Sequence, residues 1–280
     1  MATAAKDRFV RVNGLQLHYL DWGGRNKPVL LLLHGLTGNA HAWDPFVASG
    51  HSSLARWRVV ALDQRGHGDS DHAKEGYPVT SFASDIWEFS RKLGVERFAL
   101  IGHSLGARNA MSFSGDHPDC LSHLVLVDFG PEMARQGAVN VRGRTTSRPP
   151  GFRSMDDAVA WSRESSPNRT DEQLRQTAEH ALRLNYAHRL VWKHDAELAW
   201  ITGSFGLTEV PHLWQQVART TCPTLIVRGE TSDVLSREVM QRMLQVMPNA
   251  KAVEIPGAGH GVPQDQPEAF NKAVWAFLDG

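Results

Sequence analysis

Short apolar runs and amphipathic stretches alternate along this chain of 280 residues. Phe9–Val12 and Leu15–Leu20 alternate apolar and polar positions around Asn13-Gly14, a pair that favours the tight turn of a β-hairpin. Pro28–Leu33 and Trp57–Leu62 are apolar runs of the kind that form buried strands. Val79–Leu93 differs: Phe82, Ile86, Phe89 and Leu93 share one face at helical spacing. Phe98–Ile101 then reads as a strand, Leu105–Ser114 as a helix and Leu124–Val127 as the next strand.

After Gly130-Pro131 the pattern changes. Residues 131–218 are polar and arginine-rich, then helical in spacing, with no convincing strand. Asp171–Leu184 is the clearest helix there. Alternation returns with Thr224–Val227, Glu238–Val246, Ala252–Ile255 and Pro267–Leu278. Strands separated by helices predict an α/β fold, with a mostly parallel central sheet flanked by helices. Residues 1–130 and 219–280 make up the core in this reading, and 131–218 form an inserted helical cap, or lid.

Composition narrows the partners. Lys+Arg and Asp+Glu both number 30, so there is no basic excess to suggest a nucleic-acid partner, and nothing favours a membrane surface. The longest aliphatic run, Val29–Leu33, is far short of the ~20 residues that span a bilayer. Met1–Phe9 has no apolar core of signal-peptide length. Two cysteines, Cys120 and Cys222, cannot build a disulfide framework. The expectation is a soluble, cytoplasmic protein acting on a small molecule; none of these features bears on oligomeric state. The 14 histidines are scattered without metal-ligand spacing, so no metal is expected, and the chemistry read below calls on no other cofactor.

The sharpest chemical signal is Gly102-His103-Ser104-Leu105-Gly106, between a predicted strand and a predicted helix. A nucleophile elbow needs this context, because a sharp strand-to-helix turn holds the serine in a strained conformation and leaves no room for flanking side chains. His34-Gly35-Leu36-Thr37-Gly38 follows the strand Leu30–Leu33. An oxyanion hole needs two backbone N–H groups aimed at one point, and Leu36 and Leu105 are the candidates. His260, in the loop after the last strand, is placed to act as general base. His34, His67 and His103 read as structural. The acid is open at this point: Asp128 and Asp233 each follow a strand.

These residues resemble the α/β-hydrolase superfamily over nearly the whole chain, including Asp63-Gln-Arg-Gly-His-Gly-Asp-Ser70, which looks like an architectural turn. Val127-Asp-Phe-Gly-Pro-Glu132 and Ser232-Asp-Val-Leu-Ser236 resemble a subgroup near the (E)-2-(acetamidomethylene)succinate hydrolases, which cleave an amide. In many relatives the acid stands where this chain has Ser232, and in the subgroup it follows the sixth strand. The resemblance therefore implies Asp128 as acid, with Asp233 as the alternative. It implies a serine hydrolase that cleaves an ester, lactone or amide through Ser104, His260 and Asp128. A carbon–carbon bond hydrolase with the same triad, or a ligand receptor without catalysis, are the other readings. Trp161, Trp192, Trp200 and Trp214 could line an apolar pocket or pack the cap. Arg135, Arg142, Arg144, Arg148 and Arg153 could grip a carboxylate or form a solvated face.

Overall fold

A computed structural model describes residues 4–49, 52–166, 169–201 and 209–280. Met1–Thr3 of the N-terminal stretch, and residues 167–168 and 202–208 of the 131–218 segment, lie outside the described residues.

Eight strands form one sheet: β1 Lys6–Val12, β2 Leu15–Asp21, β3 Val29–Leu33, β4 Arg58–Leu62, β5 Phe98–His103, β6 Leu121–Val127, β9 Thr224–Gly229 and β10 Ala250–Ile255. The spatial order is β1-β2-β4-β3-β5-β6-β9-β10. β1 and β2 form the hairpin predicted at Asn13-Gly14, and β2 pairs antiparallel with β4. The other pairings are parallel, as the apolar runs predict.

Period-2 alternation sends side chains to both faces. Leu31 and Leu33 join one core with Phe89, Met111 and Phe113, while Leu30 and Leu32 join another with Trp43, Phe46, Phe270 and Trp275. The first core packs under helices α2 (Val79–Lys92), α3 (Leu105–Asp116) and α8 (Arg237–Val246). The second packs under the short α1 (Asp44–Ala48) and the final helix α10 (Pro267–Asp279).

Between β6 and β9 the chain forms α4 (Arg135–Thr146), α5 (Met155–Ser165), α6 (Asp171–Ala181) and α7 (Glu209–Arg219). The expectation of no strand here is corrected. The helix expected over Asp171–Leu184 ends at Ala181, and β7 (Leu182–Leu184) pairs antiparallel with β8 (Leu190–Trp192). The cause lies in the turn. The Asn185 side chain accepts the N–H groups of Ala187 and Arg189, and His188 takes a positive φ of 53°. α7 packs on α3: Arg108 bonds Glu209, and Leu213 and Val217 enter the first core. The segment after β8 is tied to the Asp63–Tyr77 region, where Asp195 N–H donates to the Gly66 carbonyl and Tyr77 Oη donates to Asp195 at 2.5 Å.

Candidate active site

β5 runs into α3 with Ser104 alone between them, at φ 52° and ψ −114°. A side chain in this region is strained and must be held by its surroundings. The Ser104 N–H donates to the Val127 carbonyl of β6 at 2.9 Å. A Cβ on Gly102 would lie 2.3 Å from the Gly106 carbonyl oxygen, and one on Gly106 would lie 2.3 Å from that of Leu33. Both glycines of the elbow are thus required by close backbone approach. Ser104 caps the N-terminus of α3, where unpaired N–H groups favour developing negative charge.

His260 lies in the loop after β10, just before the short helix α9 (Val262–Asp265). Its Nε2 is 2.9 Å from Ser104 Oγ, and its Nδ1 is 2.8 Å from Asp128 Oδ2. Asp128 directly follows β6, is fully buried and has φ 52°. Its Oδ1 accepts the Gly229 N–H at 2.9 Å, and its Oδ2 also accepts the Ser232 hydroxyl at 2.5 Å. A carboxylate facing Nδ1 favours the tautomer protonated there, which leaves Nε2 free to accept the serine proton. Asp233 is turned elsewhere: its Oδ2 accepts Asn140 Nδ2–H of α4 at 2.6 Å. The structure therefore brings together Ser104, His260 and Asp128, and leaves Asp233 against the helix.

The His34–Gly38 loop lies beside the elbow. A Cβ on Gly35 would stand 3.3 Å from Ser104 Cβ. Leu36 packs against the cluster that contains Leu105, Tyr77 and Phe82. His34 holds this loop: its Nδ1–H donates to the Gly35 carbonyl at 2.9 Å, and its Nε2 accepts the Gln64 N–H at 3.1 Å. Asp63 accepts the Ala40 N–H at 2.6 Å, the Asp69 N–H at 2.9 Å and a bond from His18 at 2.7 Å. A Cβ on Gly68 would collide with that carboxylate at 2.0 Å, so the turn Asp63–Ser70 is built around it. His67 Nδ1–H donates to the Arg65 carbonyl. His103 Nε2–H donates to the His260 carbonyl at 2.9 Å and so fixes the histidine loop. Burial, then the nearby His260, pushes the His103 ring down to about 4, which keeps it neutral.

A model of the alpha/beta hydrolase fold family matches residues 28–266. The chain belongs to this family. It is 29% identical over 282 residues to the 2-(acetamidomethylene)succinate hydrolase of Mesorhizobium japonicum, covering 99% of this chain and 98% of that protein. It is 27% identical to the N-formylmaleamate deformylase of Pseudomonas putida, covering 100% and 98%. The crystal structure of E-2-(acetamidomethylene)succinate hydrolase superposes with a TM-score of 0.88 at 28% identity, covering 99% of this chain and all (100%) of that one.

In this hydrolase-family chain a cavity of about 540 Å³ borders the elbow through Gly35, Leu36 and His103. Its far wall includes Arg148, Trp161, Arg169 and Trp192. Of the five arginines singled out in the sequence, Arg148 alone lines it; Arg135, Arg142, Arg144 and Arg153 are exposed. The Arg148 guanidinium carbon lies 4.7 Å from the Trp192 ring centroid and 5.9 Å from that of Trp161. Its Nε is buried with no hydrogen-bond partner among the described residues. Burial pulls its pKa down to about 10, still charged at neutral pH. Trp200 is exposed instead, and Trp214 packs against the first core. Arg169, which the sequence reading passed over, donates to Thr177 Oγ1 at 2.8 Å. His41, Asp44 and His180 also meet at the cavity wall, with ligating atoms within 4.8 Å of one another. The two imidazoles stack 3.5 Å apart at 13°, so their in-plane lone pairs do not converge on one ion.

Proposed function

We propose that this chain is a serine hydrolase that cleaves an ester, lactone or amide bond in a substrate carrying a carboxylate. The observation that carries the reading is the continuous hydrogen-bonded run from buried Asp128 through His260 to Ser104, on a strained elbow. Ser104 Oγ attacks the carbonyl carbon while His260 Nε2 takes its proton. The carbonyl electron pair moves onto the oxygen, which faces the N–H groups of Leu36 and Leu105. Collapse expels the alcohol or amine, which receives the proton from His260. Water then repeats the sequence on the acyl-enzyme and frees the acid. No step calls on a metal or an organic cofactor. The 131–218 segment acts as a cap that supplies the cavity's far wall.

The carboxylate follows from Arg148. A charged guanidinium over two indole rings, with a buried N–H left unpaired, is completed by a planar anion. Two relatives are named for carboxylate-bearing amides, an acetamidomethylene succinate and an N-formylmaleamate. The test compares p-nitrophenyl acetate with p-nitrophenyl hemisuccinate. Arg148→Met should raise KM for the hemisuccinate at least about tenfold, or ~1.4 kcal/mol. It should leave kcat/KM for the acetate within about threefold. Equal losses on both esters would remove the carboxylate from the proposal, and full turnover by Ser104→Ala would remove the serine mechanism.

A further inference from the structure

The bonds around Asp128 point to a residue outside the Ser104–His260–Asp128 set. Asp128 is fully buried, so its charge needs donors; among the described residues these are two neutral groups and His260. One is the Gly229 N–H. The other is the Ser232 hydroxyl, which shares Oδ2 with His260 Nδ1–H. Ser232 Oγ itself accepts the N–H groups of Val234 at 3.1 Å and Leu235 at 3.3 Å. Those two donors occupy the lone pairs of Oγ and aim its single proton at the carboxylate. They also polarise the hydroxyl and make it a stronger donor. Arg228 braces the same turn: its guanidinium donates to the carbonyls of Glu230, Ser232 and Leu235.

We propose that Ser232, seated by Arg228 and the Val234 and Leu235 amides, is a positioning residue that holds Asp128 and sets how strongly it pulls on His260. The inference rests on the triad reading and deepens it. With the hydroxyl in place, part of the carboxylate's negative charge is spent on Ser232. Remove it, and Oδ2 is left to His260 alone. The imidazolium is then held more tightly and the carboxylate is freer to turn. His260 accordingly keeps its proton to higher pH, and the neutral base becomes scarcer at a given pH. Other ionisable groups near His260 are accounted for. The His103 ring lies 5.3 Å from it and is held neutral by burial. Glu230 and Asp265 accept the N–H groups of Gly257 and Gly259.

The experiment is the pH profile of kcat and kcat/KM on p-nitrophenyl acetate for Ser232→Ala, Ser232→Thr and Ser232→Cys, beside Asp128→Asn and Ser104→Ala. Ser232→Ala should lower kcat about three- to thirtyfold with little change in KM, and move the acid limb of the profile upward by roughly half to one pH unit. Ser232→Thr keeps a hydroxyl and should restore the wild-type limb. Ser232→Cys fills the place with a weak donor; it should shift the limb in the same direction as Ala and serves if Ala fails to fold. A limb unmoved in Ala and Cys, with activity lowered equally at every pH, would make Ser232 a brace of the turn only and overturn the proposal. If Ser104→Ala and Asp128→Asn keep wild-type turnover, the triad reading itself fails. If those two lose activity while the Ser232 profiles match wild type, only this inference fails.

Discussion

Asp128 bears a positive φ of 52° that few non-glycine residues adopt. The conformation turns its carboxylate from the end of β6 toward the histidine loop, and its own N–H to the Val227 carbonyl at 2.8 Å keeps the turn tied to β9. Asp233, four residues past the end of β9, presents its carboxylate to Asn140 instead. Asp128→Asn should therefore cost on the order of 10²–10⁴ in kcat, because an amide at that place holds the imidazole in the wrong tautomer; the scale is that of a protease triad. Asp233→Asn should cost under about tenfold. Steady-state kinetics on both variants, each checked for folding, tests this, and the reverse ordering would contradict it. In the sequence, Ser232 and the stretch Val127–Glu132 favour Asp128 over Asp233: serine stands where many relatives carry the acid, and in the structure its hydroxyl bonds the Asp128 carboxylate. Arg169 was not legible, because nothing in its neighbourhood separates a cavity arginine from a surface one.

At the level of elements, the sheet could be read because its central strands are buried on both faces. Leu30–Leu33 and Leu124–Val127 leave no alternative surface for water, so their apolar runs are unambiguous. Boundaries were less legible. β10 begins at Ala250, two residues before the run Ala252–Ile255: Ala250 and Lys251 also pair with β9, and the polar Lys251 interrupts the apolar run. The hairpin Leu182–Leu184 with Leu190–Trp192 was missed for a physical reason. It has three residues per strand, and the Leu182-Arg183-Leu184 alternation is too short to stand out from the helical spacing that precedes it. Its position is set by the Asn185 turn and by Phe152, which bonds Leu190 through both backbone groups. The cavity's composition could not be read either. It joins the loop after β3 to residues 148–192, and such long-range meetings follow from the fold, not from spacing.

Over the whole molecule, several histidines are folded in their neutral form. Burial, then the neighbouring His34, holds His67 well below the usual histidine value. Burial lowers His34 as well, and burial with the Arg148 charge pushes His194 down to about 4. With His103 these rings resist protonation in the folded chain more than in the unfolded one. Their share of stability is complete above about pH 6.5 and is lost as pH falls toward 4. His18 acts in the opposite sense: burial opposes its charge, but bonds and charge from Asp63 and Asp7 outweigh burial and raise it. Its share is therefore complete below pH 6.5 and fades as pH rises past its raised value. Because the lowered rings outnumber it, Tm by scanning calorimetry should drop between pH 6.5 and 4, and a flat Tm across that window would contradict the account. No helix among the described residues is long and apolar enough to cross a membrane. The central claim is that Ser104 is the nucleophile activated by His260. Its most direct measurement is peptide mapping by mass spectrometry after treatment with a fluorophosphonate. The account predicts one adduct on Ser104, formed far more slowly in His260→Ala; modification of another residue with Ser104 untouched would contradict it.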